Sequence, residues 1–133
     1  MRAPMRPAVA AIAALAGLTL AAPALGHQTV VDRGVAVTLH VLPDDDPVAG
    51  RPATIVAVAV RPPKGGRFTF GTCRCQVKVA TATGKVLLNE RSGKRTPFVF
   101  PDPAAYEITY SGSYRAKSHT TKRFSAVFAI RAS

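Results

Sequence analysis

Apolar and polar residues alternate along most of this chain, with the period of two that is typical of a strand with one buried face. The clearest case is residues 35–42, where valine and leucine at the odd positions share one face and Thr38 and His40 share the other. Turn-forming Pro, Gly and Asp residues separate such segments at regular intervals. The pattern predicts seven short strands, at residues 35–42, 53–61, 68–82, 85–90, 96–100, 106–112 and 124–130.

The number and spacing of these strands predict an all-β fold, an immunoglobulin-like antiparallel β-sandwich. Both faces of residues 53–61 are fairly apolar, which is typical of a central strand, whereas Pro97 favours an edge position for its strand. Pro103-Ala104-Ala105-Tyr106 precedes the penultimate strand. This placement predicts a tyrosine corner, in which the hydroxyl of Tyr106 bonds back to the main chain.

Both cysteines of the chain lie in the third predicted strand, which Gly71 interrupts with a bulge or bend. Cys73 and Cys75 occupy apolar positions of the alternation, so both sulfurs are expected to point inward. Three chemistries stay open: a disulfide, a metal-binding or redox pair, and two passive core thiols. A disulfide needs a kinked backbone, because alternate Cα atoms of a strand lie about 6.5–7 Å apart and disulfides prefer about 5.5–6 Å. Two thiolates on one face suit Cu(I).

Residues 1–26 have the features of a cleavable secretory signal peptide: arginines near the start, an apolar run, and small residues before the cut. The apolar run is too short, and too rich in Ala, Gly and Pro, for a transmembrane span. The mature chain, residues 27–133, is therefore predicted to be one secreted or periplasmic domain without a transmembrane segment. Cleavage before Leu25 and cleavage before His27 both fit, and both place His27 close to a new α-amino group. The amine and the imidazole are nitrogen ligands suited to Cu(II).

The chain is strongly basic, with 18 Lys and Arg against 7 Asp and Glu and a net charge of +11. In an exported protein this charge favours an anionic surface or an envelope protein as partner, and not nucleic acid. The basic residues are scattered, with loose clusters at residues 91–95 and 115–123, so a solvated charged surface is expected. Residues 44–46 are three aspartates between prolines. They predict an exposed turn, because three carboxylates are too few for a calcium site.

Several of these features together resemble the YtkA-like and CopC-like domains of exported bacterial proteins. They are the signal peptide, the histidine after it, the acidic turn, Cys-x-Cys, and the late Pro-x-x-Tyr-x-Ile-x-Tyr-x-Gly strand. The resemblance implies copper handling in the cell envelope, with His27 as an N-terminal ligand and His119 as its candidate partner. The Asp-x-His element of CopC-like proteins is absent from this sequence, so the resemblance carries over only these two histidines.

The expected function is that of an exported, non-enzymatic protein that binds or delivers copper, with His27, Cys73, Cys75 and His119 as candidate metal ligands. The alternative is a basic module that binds an envelope protein or an anionic surface without metal. The sequence contains neither a recognisable catalytic triad nor a phosphate-binding loop. The one enzymatic alternative is a copper-dependent oxidase or monooxygenase with a histidine brace.

Overall fold

The computed structural model of the chain describes residues 28–133. These residues form eight strands and no helix, so within this range no helix could cross a membrane. The strands are β1 (Gln28–Asp32), β2 (Val35–Leu42), β3 (Pro52–Arg61), β4 (Gln76–Thr81), β5 (Val86–Arg91), β6 (Arg95–Val99), β7 (Ala105–Arg115) and β8 (Thr121–Arg131). They make two antiparallel sheets, ordered β1-β2-β3-β6 and β5-β4-β7-β8. The predicted all-β antiparallel sandwich is confirmed, while the predicted signal peptide and His27 lie outside the described residues.

The core lies between the two sheets and consists of the apolar positions of the alternation. Each such side chain that leaves water contributes about 1.5–3 kcal/mol to folding. The predicted inward faces of β2, β7 and β8 are confirmed as buried: Val35, Val37, Leu39, Val41, Tyr106, Ile108, Tyr110, Phe124, Ala126, Phe128 and Ile130. Burial raises the pKa of the Tyr110 hydroxyl, which donates a hydrogen bond to the carbonyl oxygen of Gly93 at 3.1 Å. The outward positions are left for polar and charged side chains.

The strand β1 is one that the sequence pattern does not predict. It pairs with β2 through a two-residue turn, in which Arg33 and Gly34 have φ angles of 49° and 81°. Left-handed conformations at both central residues are typical of the turns that match the twist of a hairpin. Because β1 is short and half-exposed along its length, its own alternation is too weak to mark it as a strand.

Two predictions about individual residues are confirmed. Pro97 lies in β6, which is the edge strand of its sheet, while β3 is central between β2 and β6. The tyrosine corner is also present: the hydroxyl of Tyr106 donates to the carbonyl oxygen of Asp102 at 2.7 Å and accepts from the Asp102 amide at 3.0 Å. These two hydrogen bonds hold the loop before β7 against the start of that strand.

The third predicted strand is shorter than expected. Residues 68–75 form an irregular connection, and β4 begins only at Gln76. Within the connection Arg74 has a left-handed φ of 48°, and a disulfide joins Cys73 to Cys75 with Cα atoms 5.1 Å apart. The prediction of a strand through the cysteines is therefore wrong, because a left-handed residue breaks the extended backbone. The expected inward direction is confirmed, since both cysteines are buried.

Gly112 of β7 is the position where the connection packs most closely on the sheet. A Cβ atom at Gly112 would lie 2.6 Å from the Sγ atom of Cys75 and 3.2 Å from the carbonyl oxygen of Cys73. We expect Gly112→Ala to lower the free energy of unfolding by about 2 kcal/mol, because overpacking a filled interior typically costs that much. Urea unfolding followed by circular dichroism measures the change.

The matched control for this experiment is Gly71→Ala, since a Cβ atom at Gly71 meets nothing within 4 Å and the residue does not have a left-handed φ. We expect this variant to stay within about 0.5 kcal/mol of the wild type. Equal stability of the two variants would contradict the close packing of the disulfide on β7.

Candidate functional site

The connection between β3 and β4 extends the second sheet beside β7. The amide of Arg67 donates to the carbonyl oxygen of Arg115 at 2.7 Å, and the Arg115 amide donates to the Arg67 oxygen at 2.9 Å. Further along, the carbonyl oxygen of Cys73 accepts from both the amide (2.9 Å) and the hydroxyl (3.1 Å) of Ser113. The connection is thereby fastened to the last residues of β7.

The disulfide sets the direction of Arg74. Cys73 and Cys75 are 1% and 2% exposed, and Arg74 between them is exposed. The kink that brings the two Cα atoms together includes the left-handed Arg74. The bend predicted at Gly71 is also present, because Gly71 lies in a turn in which the Thr72 amide donates to the carbonyl oxygen of Thr69 at 3.4 Å. Of the three chemistries left open for the cysteines, the structure contains the disulfide. Because metals bind the thiolate form of cysteine, the oxidised pair does not fit a Cu(I) site.

Four arginines converge on a groove at the end of the second sheet where β7 turns into β8. Arg67, Arg74, Arg115 and Arg123 line this groove, which has a volume of about 680 Å³. We call it the arginine groove. Its other lining residues are polar or largely buried: Thr69, Thr72, Ser113, Tyr114 and Thr121. No carboxylate is among the lining residues, so the described part of the groove carries positive charge alone.

Strand register explains why three of these arginines meet. Arg67 lies opposite Arg115, and Arg123 lies opposite Ser113, which is two residues before Arg115 on β7. Residues two apart on a strand point to the same face of a sheet. The side chains of Arg67, Arg115 and Arg123 therefore share the outer face, and the disulfide loop adds Arg74 beside them.

The arginine groove concentrates like charge without internal compensation. Like charges directly opposite each other on neighbouring strands are destabilising, and Arg67 and Arg115 are such a pair. Across residues 28–133 the only contact between a basic side chain and a carboxylate is that of His40 with Asp45, so none of the four arginines has a carboxylate partner there. A guanidinium group stays protonated in proteins and presents a planar fork of N–H donors. The groove can therefore bind oxyanions, and carboxylate, sulfate or phosphate would relieve its repulsion.

A second basic groove lies next to the first. It has a volume of about 530 Å³, and its basic residues are Arg33, Lys64, Lys117 and Lys122. We call it the lysine groove. Tyr114 lines both grooves, so they are neighbours. His119 lies in the adjoining turn between β7 and β8, where it is exposed and has a left-handed φ of 65°.

The acidic turn lies at the opposite end of the sandwich. The carbonyl oxygen of Pro47 accepts from the amide of Ser133 at 3.0 Å, which places the turn beside the end of β8. The eleven residues of β8 span about 35 Å at a strand's rise. Asp44 and Asp46 are exposed as predicted. Asp45 instead stabilises the turn, because its carboxylate contacts Nδ1 of His40 and accepts from the Val41 amide, both at 2.8 Å.

The structure does not bring the described candidate metal ligands, Cys73, Cys75 and His119, together as a metal site. Cys73 and Cys75 form the disulfide, and His119 lies at the basic end of the molecule. Gln28, the first described residue, contacts Ala129 near the other end of β8. His27 itself lies outside the described residues. Among residues 28–133 no group of three or more His, Cys, Asp or Glu side chains is placed to hold a metal ion, and copper binding stays a prediction.

Sequence reasoning missed the arginine groove. Arg67 and Arg115 are far apart in the chain and carry no shared motif, so only their pairing as neighbours reveals the cluster. Two weak signals were present: the loose basic cluster of residues 115–123 and the arginine inside Cys-Arg-Cys. Neither signal indicates that the two segments meet.

The unpaired charge of the arginine groove predicts a gain in stability when one arginine is neutralised. We expect Arg115→Gln to raise the unfolding temperature at 20 mM salt, because one like-charge contact is removed, and to lose this advantage at 500 mM salt, where exposed charges are screened. Differential scanning calorimetry at both salt concentrations measures this. The control is Arg131→Gln, at the acidic end of the second sheet, which should give no such gain. A lower unfolding temperature of Arg115→Gln at 20 mM salt would contradict the repulsion.

Comparisons of this chain with protein-family models, with curated proteins and with solved structures find no match.

Proposed function

We propose that this protein is an exported, non-enzymatic β-sandwich that binds an anionic partner in the cell envelope through the arginine groove. The observation that carries the proposal is the convergence of four arginines on one groove with no carboxylate among its lining residues. Solubility requires only scattered charge, and it does not require two arginines directly opposite each other, as Arg67 and Arg115 are. A bound oxyanion would stabilise that arrangement, because each guanidinium can donate two parallel hydrogen bonds to it.

We further propose that the sandwich is of the immunoglobulin-like type. Taking β2, β3 and β6 as strands A, B and E, and β4, β7 and β8 as strands C, F and G, reproduces the neighbours expected in the two sheets of that fold. The strand β5 then takes the place of C′, and β1 is an addition. The position of Tyr106, at the start of the strand equivalent to F, supports the same assignment.

Two observations support export. Residues 1–26 have the composition of a secretory signal peptide. Both cysteines of the chain are joined in a disulfide, and disulfides persist mainly in oxidising compartments such as the periplasm or the cell exterior. In that environment an arginine-lined groove meets acidic envelope polymers, anionic lipids and acidic protein surfaces.

The lining of the arginine groove suits binding better than catalysis. Its described residues supply guanidinium groups and the hydroxyls of Thr69, Thr72, Ser113 and Thr121. They include no histidine or carboxylate that could accept a proton from a hydroxyl nucleophile. The groove can therefore hold and orient an anion, and the proposal assigns it no reaction.

Titration calorimetry with inorganic tripolyphosphate tests the anion-binding function. We expect the double variant Arg67→Gln/Arg123→Gln to bind at least tenfold more weakly than the wild type, because each arginine removed takes away a charge-assisted hydrogen bond. Affinity of the wild type should fall as salt is raised. The double variant Arg51→Gln/Arg131→Gln removes the same charge elsewhere and should bind nearly as the wild type does. Equal losses in the two double variants would overturn the proposal, since they would indicate net charge and not a site.

A second candidate function is copper binding, favoured by one observation at the acidic end. The His40 imidazole and the Asp45 carboxylate are in contact at 2.8 Å, and Gln28 lies opposite Leu39. His40 follows Leu39 in β2, so its imidazole lies close to the start of the described chain. We therefore propose His40, and not His119, as the partner for the amine and imidazole that signal cleavage before His27 would provide.

Titration of the mature protein with Cu(II), followed by electron paramagnetic resonance, tests this second candidate. We expect His40→Gln to weaken Cu(II) binding at least tenfold and to change the nitrogen hyperfine pattern, because one imidazole ligand is lost. The His119→Gln variant should bind as the wild type does. Unchanged binding in His40→Gln would exclude the proposed pair.

A further inference from the structure

The arginine groove is one part of a longer basic surface. The lysine groove adjoins it at Tyr114, and each groove is lined by four basic residues. None of the residues lining either groove is Asp or Glu. A small anion can contact only one groove, whereas a longer ligand can contact both at once.

The two grooves follow the end of β7 and continue around the end of the sandwich. Ser113 and Arg115 line the arginine groove, whereas Ala116 and Lys117 line the lysine groove. β7 ends at Arg115, so Ser113 and Arg115 lie on the strand and Lys117 lies in the turn that follows it. On β8, Arg123 lines the arginine groove and its neighbour Lys122 lines the lysine groove, because successive residues of a strand point to opposite faces. The basic surface thus has two parts, one on the outer face of the second sheet and one at the end of the sandwich, which meet at Tyr114. We call the two grooves together the basic strip.

The lining of the strip disfavours two common kinds of polyanion partner. Among the described residues Tyr114 is the only aromatic one that lines either groove, and it is 7% exposed. Single-stranded nucleic acid needs exposed aromatic faces on which its bases stack. The exposed large apolar residues of the described chain line neither groove: Val31, Val48, Val58, Val86, Val99 and Val127. An anionic membrane would therefore find no side chain to insert beside its head groups.

The hydroxyls of the strip indicate what the ligand carries besides charge. Thr69, Thr72, Ser113 and Thr121 lie among the arginines, and Ser118 lies among the lysines. The Thr69 and Thr72 hydroxyls bond to each other, the Ser113 hydroxyl donates to the Cys73 carbonyl oxygen, and the Ser118 hydroxyl bonds to that of Thr120, so they offer a ligand chiefly acceptor positions. A hydroxyl both donates and accepts hydrogen bonds, whereas guanidinium and ammonium groups only donate. A ligand that has hydroxyls as well as negative groups along its length can use both kinds of lining residue.

We propose that the ligand of this strip is an extended acidic polysaccharide, with carboxylates on successive sugar units and hydroxyls between them. This inference rests on the proposed anion-binding function and adds the class of the partner. The carboxylates bind the guanidinium groups of the arginine groove as planar, bidentate partners. The chain then continues past Tyr114, and its further carboxylates contact Lys117 and Lys122 in the lysine groove.

A length series of oligogalacturonates, from the disaccharide to the octasaccharide, tests the inference by titration calorimetry on the mature protein. For the wild type we expect affinity to increase at least tenfold from the shortest to the longest chain, because only the longer chains reach the lysine groove. The double variant Lys117→Gln/Lys122→Gln should abolish this increase and leave the affinity for the disaccharide unchanged. The control Lys78→Gln/Lys85→Gln removes the same charge outside both grooves and should keep the full increase.

Three further probes separate failure of this inference from failure of the proposed function. If tripolyphosphate binds through the arginines but the oligogalacturonates show no dependence on length, the extended polysaccharide is wrong and anion binding stands. Tighter binding of a thymidine homopolymer, or of phosphatidylglycerol vesicles, would also overturn the polysaccharide. If tripolyphosphate shows no arginine-dependent binding, both proposals are wrong.

Discussion

Burial of alternate side chains between two sheets is the interaction on which the rest of this structure depends. The disulfide closes a loop of three residues and does not link the sheets. Within residues 28–133 the sheets are joined mainly by packing, with hydrogen bonds between β1 and β8 from the Gln28 side chain to the Ala129 carbonyl oxygen and from the Ser125 amide to the Asp32 carboxylate. Tyr110 and Phe124 of the second sheet pack with Leu39 and Ile55 of the first in one continuous core. Because nearly every inward position is apolar, the hydrophobic effect determines which face of each strand points inward.

This division of faces leaves the outer surface and the two ends of the sandwich free to carry charge. Acidic residues gather in the turn near Ser133, and arginines and lysines gather at the turn between β7 and β8. At the basic end Arg67 and Arg115 are direct neighbours, and the repulsion between their charges opposes folding. The hydrogen bonds between Cys73 and Ser113, and the contact of Cys75 with Gly112, hold the connection in place against that repulsion. A surface that is costly to form and has no internal partner is a surface suited to a ligand.

Most of the fold could be predicted from the sequence, because a strand that is buried on one face has apolar residues at every second position. The strands at residues 35–42 and 124–130, the edge position of Pro97 and the corner at Tyr106 all follow from local signals. The predictions fail where the local signal is weak or is overridden. The first strand is half-exposed and depends on the turn at Arg33 and Gly34, and the strand through the cysteines is interrupted by the conformation of Arg74.

The sequence by itself determined the all-β class, the inward faces and the strong positive charge, since each of these depends on residue types and short spacings. Only the tertiary structure decided where that charge gathers. Arg67, Arg74, Arg115 and Arg123 come from two distant parts of the chain, and they meet because the β3–β4 connection pairs with the end of β7. The tertiary structure likewise decided that Cys73 and Cys75 bond to each other, because the kink that brings their Cα atoms to 5.1 Å lies in the backbone of Arg74, a residue type with no preference for that conformation.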